Sequence, residues 1–388
     1  MDVKNTLSRR SFVGGVAAAL GYLGLDPASS LARAQAGGGR ASLDEYDALA
    51  KLANNENNWG PPQSVMDAMN GAWKYANRYG YPDGNIVQAI ADHHGVSRDH
   101  ILLGAGSGEI LNVVGTTYLQ GGKKVVGVEP SYGSVYSHAS RLNAEAVLLP
   151  LDADFRQNIP RMIEATKRNY REVGFVYLCN PNNPTGLIVT KAEVDQLLDG
   201  IPEDIPVLID EAYHHYVEDG RYAESIPHVK AGRKVIVART FSKISALAAM
   251  RLGYAVAPPS MIEEMRTYSM GSINALVKWG GAAALRDTAA QTKVREMTRD
   301  LRTKYSRELE AYGYEVIPSQ TNFFMVAIHR QIQPVIGEFR KHGVLVGRPF
   351  PPMLEHMRVS IGTPDEMERF MTAFKQVFPP RTTTVAQG

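Results

Sequence analysis

From about Ser97 to about Ala282, short unbroken runs of valine, isoleucine and leucine alternate with segments of helical pattern. Strands buried on both faces of a sheet have this uninterrupted apolar character, and helices between them form right-handed crossovers. We therefore predict an α/β fold whose large domain contains a mostly parallel sheet flanked by helices. The predicted strands comprise residues 101–103, 124–128, 146–150, 174–179, 206–209, 234–238 and 253–257.

The pattern changes after about residue 282. Residues 288–312 predict one long charged amphipathic helix, and strand-like runs at 323–328 and 357–361 flank a helical segment at 335–342. The resulting domain prediction is a large domain at 76–282 and a smaller α+β domain at 283–380. Residues 37–75 are predicted to form an N-terminal arm that contributes to the small domain, and 381–388 a flexible tail.

The first 36 residues predict a targeting signal rather than part of the fold. Arg9 and Arg10 form a twin-arginine pattern, a weakly apolar run follows at 12–25, and an A-Q-A cleavage pattern ends at Ala36. We expect export through the twin-arginine translocation machinery to the periplasm, with a mature chain starting near Gly37. The alternative is a plain N-terminal extension. The apolar run is too short for a membrane span, so no stable membrane association is expected.

Charge and cysteine content exclude several classes of protein. A formal net charge of +2 argues against a dedicated nucleic-acid binder. A single cysteine, Cys179, cannot form an internal disulfide.

Polar motifs follow the predicted strands, at residues 104–109, 130–132, 180–186, 210–213 and 240–243. In open parallel sheets, ligands bind beyond the carboxyl ends of the strands. These motifs therefore predict one ligand site at that edge of the sheet.

Lys243 is the most informative residue of these motifs. A lone lysine after a strand is usually a solvated surface group, but here Asp210 closes the predicted strand at 206–209, and Thr240, Ser242 and Arg251 lie near Lys243 in the sequence. Pyridoxal phosphate (PLP) needs an amine to hold its aldehyde as a Schiff base, an acid opposite its pyridine nitrogen, and donors for its phosphate. The set predicts a PLP site in which Lys243 and Asp210 are catalytic.

Further donors come from two other motifs. The glycine-rich run at 104–109 ends a strand and opens an apolar helix, so the backbone N–H groups of Ser107, Gly108 and Glu109 are predicted to bind the phosphate. Tyr213, three residues after Asp210, can donate a hydrogen bond to the phenolic oxygen of the cofactor and is predicted to be catalytic with Lys243 and Asp210. The alternative for Asp210 is a helix N-cap.

The motifs together resemble a known family. Residues 180–186 read N-P-N-N-P-T-G, the signature of fold-type I PLP-dependent aminotransferases, and D-E-A-Y at 210–213 and T-F-S-K at 240–243 follow at the expected intervals. With N-E-N at 55–57 and Y-P-D-G at 81–84, the chain is similar to the histidinol-phosphate aminotransferase-like branch of the class I/II aminotransferases. The resemblance implies the PLP-dependent transferase fold type I and a homodimer with shared active sites.

The resemblance also implies roles for individual residues. Asn183 should bond the phenolic oxygen beside Tyr213, and Tyr132 should stack on the pyridine ring. Tyr81 should reach the phosphate of PLP in the neighbouring subunit. The substrate-binding residues it implies are Arg358, for the α-carboxylate, Arg348 and Asn57.

The sequence departs from the family pattern at four places. Asn58 replaces a proline, Gly108 replaces an aspartate, and the segment at 244–250 lacks glycine. Gly347 adds a residue before Arg348, the arginine that grips the substrate phosphate in histidinol-phosphate enzymes. Arg348 is then either a second anion clamp or a solvated loop arginine.

The predicted activity is transfer of an amino group between an amino acid, or a histidinol-phosphate-like amine, and a 2-oxo acid by a ping-pong mechanism. Two alternatives stay open at this point: a PLP-dependent lyase or decarboxylase on the same fold, and a non-catalytic PLP-fold binding protein.

Overall fold

The computed structural model describes residues 43–381. The predicted signal at 1–36 and all but the first residue of the predicted tail lie outside the described residues. The strands, β1 to β12 in chain order, are Ala50–Lys51, Ile101–Gly104, Lys124–Glu129, Ala146–Pro150, Val173–Cys179, Val207–Asp210, Val235–Thr240, Gly253–Val256, Val316–Ile317, Phe323–Ala327, Val344–Leu345 and His356–Ser360. The helices, α1 to α13, are Leu43–Asp47, Gln63–Ala72, Ile86–His94, Ser107–Tyr118, Ser134–Arg141, Ile159–Arg168, Lys191–Gly200, Ile226–Lys230, Pro259–Arg266, Ala275–Arg286, Thr288–Ala311, Ile332–Lys341 and Pro364–Val377.

A seven-stranded sheet forms the centre of the large domain, in the order β2-β8-β7-β6-β5-β3-β4. Every neighbouring pair is parallel except the two made by β8, which runs against both β2 and β7. Residues 241–252, between β7 and β8, contain turns but no helix. Parallel neighbouring strands need a crossover connection, which is usually a helix. Because residues 241–252 form no such helix, β8 runs antiparallel to β7. The predicted mostly parallel sheet is confirmed, with this one reversal.

Alternate residues of each central strand enter two different cores. On β6, Val207 and Ile209 belong to one buried cluster, and Leu208 belongs to another. This period of two places an apolar layer on each face of the sheet. Helices cover both faces: α4 contributes Ile110 and Val114 to the second cluster, and α3 contributes Ile90 to the first. The unbroken apolar runs in the sequence arise from this two-sided burial.

The small domain is built from both ends of the described chain. Strands β9, β10 and β12 form an antiparallel sheet, while β1 of the arm pairs in parallel with β11. Helix α2, which also belongs to the predicted arm, packs instead on α10 of the large domain, where Gly280 of α10 lies against Met69. Helix α10 ends at Arg286, beyond the predicted domain boundary at 282, since its buried face belongs to the core of the large domain. Within residues 43–381, no helix combines the length and apolar character needed to cross a lipid bilayer.

Candidate active site

The motifs meet where β5, β6 and β7 end. These strands are in register, with Cys179 opposite Asp210 and Asp210 opposite Ala238. Their carboxyl ends therefore bring the segments at 180–186, 210–213 and 240–243 to one edge of the sheet.

Asp210 is buried at the last position of β6, with 2% of its surface exposed. Its carboxylate accepts hydrogen bonds from the backbone N–H of Ala212 at 3.1 Å and from the hydroxyl of Tyr177 at 3.3 Å. Burial raises the pKa of Asp210 to about 6, against the action of these two hydrogen bonds. A carboxylate in such a place is stabilised by a cation opposite it, which is what a protonated pyridine nitrogen provides.

Lys243 lies three residues after β7 and is half-buried. Its amine donates to the carbonyl of Asn54 at 3.1 Å and lies 5.7 Å from the centre of the Tyr213 ring. Burial, followed by the positive charge of Arg358, lowers the pKa of Lys243 to about 8. A neutral amine is consequently accessible near physiological pH, as a nucleophile and as a base.

A cradle for a phosphate lies at the start of α4. Helix α4 begins after Gly106 with no side chain capping its first N–H groups, which belong to Ser107 and Gly108. The Arg251 guanidinium lies against this turn: Nη2 donates to the carbonyl of Ala105 at 3.2 Å, and a Cβ on Gly106 would collide with it. An open helix N-terminus facing a guanidinium fits a dianion.

Two hydroxyls complete the cradle. Thr240 Oγ1 donates to Ser242 Oγ at 2.8 Å, and Arg251 Nη1 lies 3.5 Å from the same Ser242 oxygen. The carboxylate of Glu109 accepts from the N–H groups of Ala105 and Met270, at 2.6 and 3.0 Å. The side chain of Glu109 is thus held within the turn. Its backbone N–H donates to the carbonyl of Gly106 at 3.3 Å, so its predicted role toward the phosphate stays a prediction.

Tyr213 lies at the centre of a buried polar network. Its phenolic oxygen accepts from Asn55 Nδ2 at 3.0 Å and from Asn183 Nδ2 at 3.4 Å. The Oδ1 atom of Asn183 in turn accepts from Arg358 Nη1 at 2.6 Å. The predicted residues Tyr213, Asn183 and Arg358 are therefore brought together, and the sequence analysis missed Asn55.

Arg358 occupies the middle of β12 and is 6% exposed. Its Nη2 donates to the carbonyl of Ala53 at 2.6 Å, while its buried Nε has no partner among the described residues. Burial lowers the pKa of Arg358 to about 10. No carboxylate contacts this guanidinium in the described part of the chain, so it is available for an anionic ligand.

Arg348 and Arg358 contact the same aromatic ring. Their guanidinium carbons lie 4.3 and 4.6 Å from the ring centre of Phe350, which is 3% exposed. Among residues 43–381, Arg348 donates only to the carbonyl of Pro349, at 2.9 Å, and burial lowers its pKa. The structure thus places Arg348 beside the site, partly buried, rather than on a solvated loop. The sequence points to Phe350, on the same loop as Arg348, as a contact for an apolar or aromatic substrate side chain, and the structure places its ring against both arginines.

Three predicted residues have contacts other than those expected. Asn57 Nδ2 donates to the carbonyl of Ile244 at 2.9 Å, so its amide holds the residue after Lys243. Tyr81 donates to the carbonyl of Ile273 of its own chain at 2.8 Å. Tyr132 is half-buried, and its backbone carbonyl accepts a hydrogen bond from the Tyr177 hydroxyl at 3.3 Å. Their predicted roles toward substrate and cofactor stay predictions.

The arrangement matches a known family. The model of the family "Aminotransferase class I and II" fits residues 48–374, most of the chain. The chain belongs to the class I and II aminotransferases. It is a PLP-dependent transaminase, and the predicted fold type, cofactor and reaction class are confirmed.

Relatives of this aminotransferase include two curated enzymes. A histidinol-phosphate aminotransferase of Moorella thermoacetica is 35% identical over 337 residues, covering 85% of this chain and 85% of that protein. An aromatic amino acid aminotransferase of Rhodococcus jostii is 33% identical over 333 residues, covering 84% and 89%. Among solved structures, histidinol-phosphate aminotransferase from Sinorhizobium meliloti in complex with pyridoxal-5'-phosphate is 25% identical, with a TM-score of 0.79, covering 85% and 90%.

Beneath the site of this aminotransferase, a buried ion pair links β7 to the residue after β6. Arg239 is 1% exposed and Glu211 is fully buried. Arg239 Nη2 and Nε lie 2.6 and 3.1 Å from Glu211 Oε2, and the Ser225 backbone N–H donates to Glu211 Oε1 at 2.7 Å. The pair ties β7, the strand that precedes Lys243, to the residue that follows Asp210.

Replacing Arg239 by methionine should lower the free energy of unfolding by about 3–5 kcal/mol, because Glu211 is left buried without its cation. The matched control is Arg233→Met, whose partner Asp199 lies 2.8 Å away in a pair with side chains 36% and 71% exposed. That variant should lose no more than about 1 kcal/mol. Denaturant unfolding of the two apoproteins measures the difference, and equal small losses would contradict the assignment.

Proposed function

We propose that this aminotransferase acts on amino donors and 2-oxo acids that carry an α-carboxylate, held by Arg358, and a second anionic group, held by Arg348. The observation that carries the proposal is the pair of guanidinium groups around Phe350, neither of which has a carboxylate partner among the described residues. Unpaired, partly desolvated arginines of this kind fit carboxylate or phosphate groups.

The names of the relatives support a substrate with an aromatic or anionic side chain. One relative is named for histidinol phosphate, which carries an imidazole ring and a phosphate in place of the α-carboxylate, and another for aromatic amino acids. Phe350 belongs to an apolar cluster with Ile317, Met325 and Met353. This cluster supplies an apolar wall beside Arg348. A substrate ring would contact the apolar wall, and a distal anion on that substrate would contact Arg348.

Each residue of the site has its own role in the reaction. When bound, PLP supplies an aldehyde that links to amines and an electron sink for the electrons left at the substrate Cα. Asp210 would keep a proton on the pyridine nitrogen, and Ser107, Gly108, Thr240, Ser242 and Arg251 would hold the phosphate. Tyr213 and Asn183 would hold the phenolic oxygen.

Lys243 moves the proton. With PLP bound and a substrate amine in its place, the neutral Nζ would take the proton from the substrate Cα, hold it and later give it back. Arg358 fixes the carboxylate, so that the Cα–H bond rather than the bond to the carboxylate is presented for cleavage. This orientation favours transamination over decarboxylation.

Arg348→Ala should lower kcat/KM selectively for donors with a distal carboxylate or phosphate, by about tenfold to a hundredfold, because a charge-assisted contact contributes about 1.5–3 kcal/mol. Activity on aromatic donors without a second anion should change little. The control is Arg358→Ala, which should impair both sets of donors. Half-reactions with a panel of amino acids, followed by absorbance, measure the effect. An equal change on both sets would show that Arg348 does not contact the side chain.

We infer a homodimer in which Tyr81 completes the neighbouring site. Large apolar side chains are exposed within ten residues of Tyr81 or of its partner Ile273 in the sequence: Trp73 at 62%, Tyr79 at 105% and Met270 at 81%. Exposed apolar side chains of this size are typical of a protein–protein interface. Lys243→Ala and Tyr81→Phe chains, mixed after reversible dissociation, form heterodimers with one intact site if Tyr81 acts across the interface. Recovered activity would support this arrangement, and none would contradict it.

We further propose that the enzyme is exported with residues 1–36 removed. The support is the twin-arginine pattern at Arg9 and Arg10 with the cleavage pattern ending at Ala36. N-terminal sequencing of protein from separated cell fractions should give a periplasmic chain starting near Gly37. An intact Met1 on protein confined to the cytoplasm would exclude export.

A further inference from the structure

Asn55 is the residue of the site that has no assigned role. It is 1% exposed and lies in the left-handed backbone region, with φ of 55°. Asparagine is one of the few residues other than glycine that tolerate this conformation. Its backbone N–H donates to Ser360 Oγ at 2.8 Å, and its carbonyl accepts from Asn322 Nδ2 at 3.0 Å. The small domain thus fixes the position of Asn55.

The hydrogen bonds determine which way each amide faces. Ser360 Oγ accepts from the backbone N–H of Asn55, and its single proton goes to Asn55 Oδ1 at 3.1 Å. The Nδ2 group of Asn55 must then face Tyr213. Arginine is only a donor, so Asn183 Oδ1 must face Arg358, and its Nδ2 also faces Tyr213.

The phenolic oxygen of Tyr213 therefore accepts two N–H donors, from Asn55 and Asn183. A phenol has two acceptor positions and one proton. With both acceptor positions filled, the proton has to be donated, and no acceptor for it is found among residues 43–381. Burial raises the pKa of Tyr213, which keeps that proton in place near neutral pH.

We propose that Asn55 is a positioning residue that directs the Tyr213 proton onto the phenolic oxygen of bound PLP. It donates to Tyr213 at 3.0 Å, the shorter of the two contacts to that oxygen. A hydrogen bond donated to the phenolic oxygen withdraws electron density from it. The neighbouring proton on Lys243 Nζ of the loaded enzyme is then held less tightly, so its pKa is lowered. Asn55 thereby sets the pH range in which the enzyme is ready for an incoming amine.

Asn55→Asp is the decisive variant, because aspartate keeps the shape and tolerates the left-handed backbone. Its second carboxylate oxygen can only accept, so it takes the Tyr213 proton away from the cofactor. In the PLP-loaded enzyme, the pH midpoint of the visible absorption change should rise by about one unit or more. Tyr213→Phe should shift the midpoint in the same direction.

Two comparisons separate this role from a structural one. In a Tyr213→Phe background, Asn55→Asp should add little further shift, whereas a plain charge effect would add its full value. Asn58→Ala removes the hydrogen bonds from the arm to the Lys51 carbonyl and the Glu366 carboxylate without touching Asn55 or Tyr213, so it should lower the unfolding midpoint and leave the absorption midpoint unchanged.

An unchanged absorption midpoint in Asn55→Asp, or a full additional shift in the Tyr213→Phe background, would overturn the proposal. If Asn55→Asp does not fold, Asn55→Gly removes the donor without adding charge, and its midpoint should also rise. The readout is independent of the substrate, so it stands or falls separately from the proposed roles of Arg348 and Arg358.

Discussion

Lys243→Ala should yield a folded protein that loses transamination by at least about three orders of magnitude, because the amine that links the cofactor and moves the proton is gone. Borohydride reduction of the loaded wild-type enzyme should attach the cofactor covalently to Lys243, as found by peptide mapping. The variant should remain unlabelled. The thermal unfolding temperature of the apoprotein should change by no more than a few degrees.

The pKa of Lys243 makes the rate of PLP attachment depend on pH. At one unit below its value of about 8, roughly a tenth of the amine is neutral. Attachment of PLP to the wild-type apoenzyme should therefore speed up as pH rises towards 8 and level off above it. Lys191→Ala is the matched control, since its amine is 61% exposed and bound to Asp195. A label on any lysine other than Lys243 would refute the assignment.

Asp210→Asn should leave PLP bound but slow removal of the α-proton by at least about a hundredfold, since the pyridine nitrogen loses the carboxylate that keeps it protonated. Stopped-flow absorbance of a single half-reaction isolates this step. Asp199→Asn, at a side chain 71% exposed, serves as a control for the loss of a carboxylate elsewhere. A single-turnover rate near that of the wild type would remove Asp210 from this role.

Stability of the apoprotein provides a second measure of Asp210. Its folded pKa of about 6 is raised above the usual 3.8, so the native state without cofactor favours the protonated acid. Stability is then lost as pH rises from about 4 through 6. Apo Asp210→Asn should consequently be more stable than the apo wild type at pH 8, and this advantage should shrink towards pH 4.

The central sheet could be predicted from the sequence because strands buried on both faces are unbroken runs of apolar residues. All seven predicted strands form, and β4 has the bounds predicted, Ala146–Pro150. The reversed direction of β8 was not predicted, although the absence of a helical pattern between β7 and β8 is visible in the sequence. The short strands β1 and β11 were missed, since two residues carry no periodicity.

In the site, motif and strand order together predicted which residues converge but not how their side chains pair. Lys243, Asp210, Tyr213, Asn183 and Arg358 lie together as expected. The N-E-N motif pointed to Asn57, whereas Asn55 reaches Tyr213, because its left-handed backbone turns the arm at that residue. The stacking of Arg348 and Arg358 on Phe350 depends on the path of the loop at 347–353, which no local pattern specifies.

The pairing of the arm with the small domain determines the order in which the enzyme can be completed. Asn55 and Ser360 are separated by 305 positions in the sequence, yet they bond directly. During synthesis the large domain can form from residues that have already emerged, but the arm has no partner until β11 and β12 follow. The hydrogen bond from Asn55 to Tyr213 therefore forms last. A chain arrested before residue 344 would carry the lysine and the phosphate cradle without a finished site, so catalytic competence is restricted to molecules that contain β11 and β12.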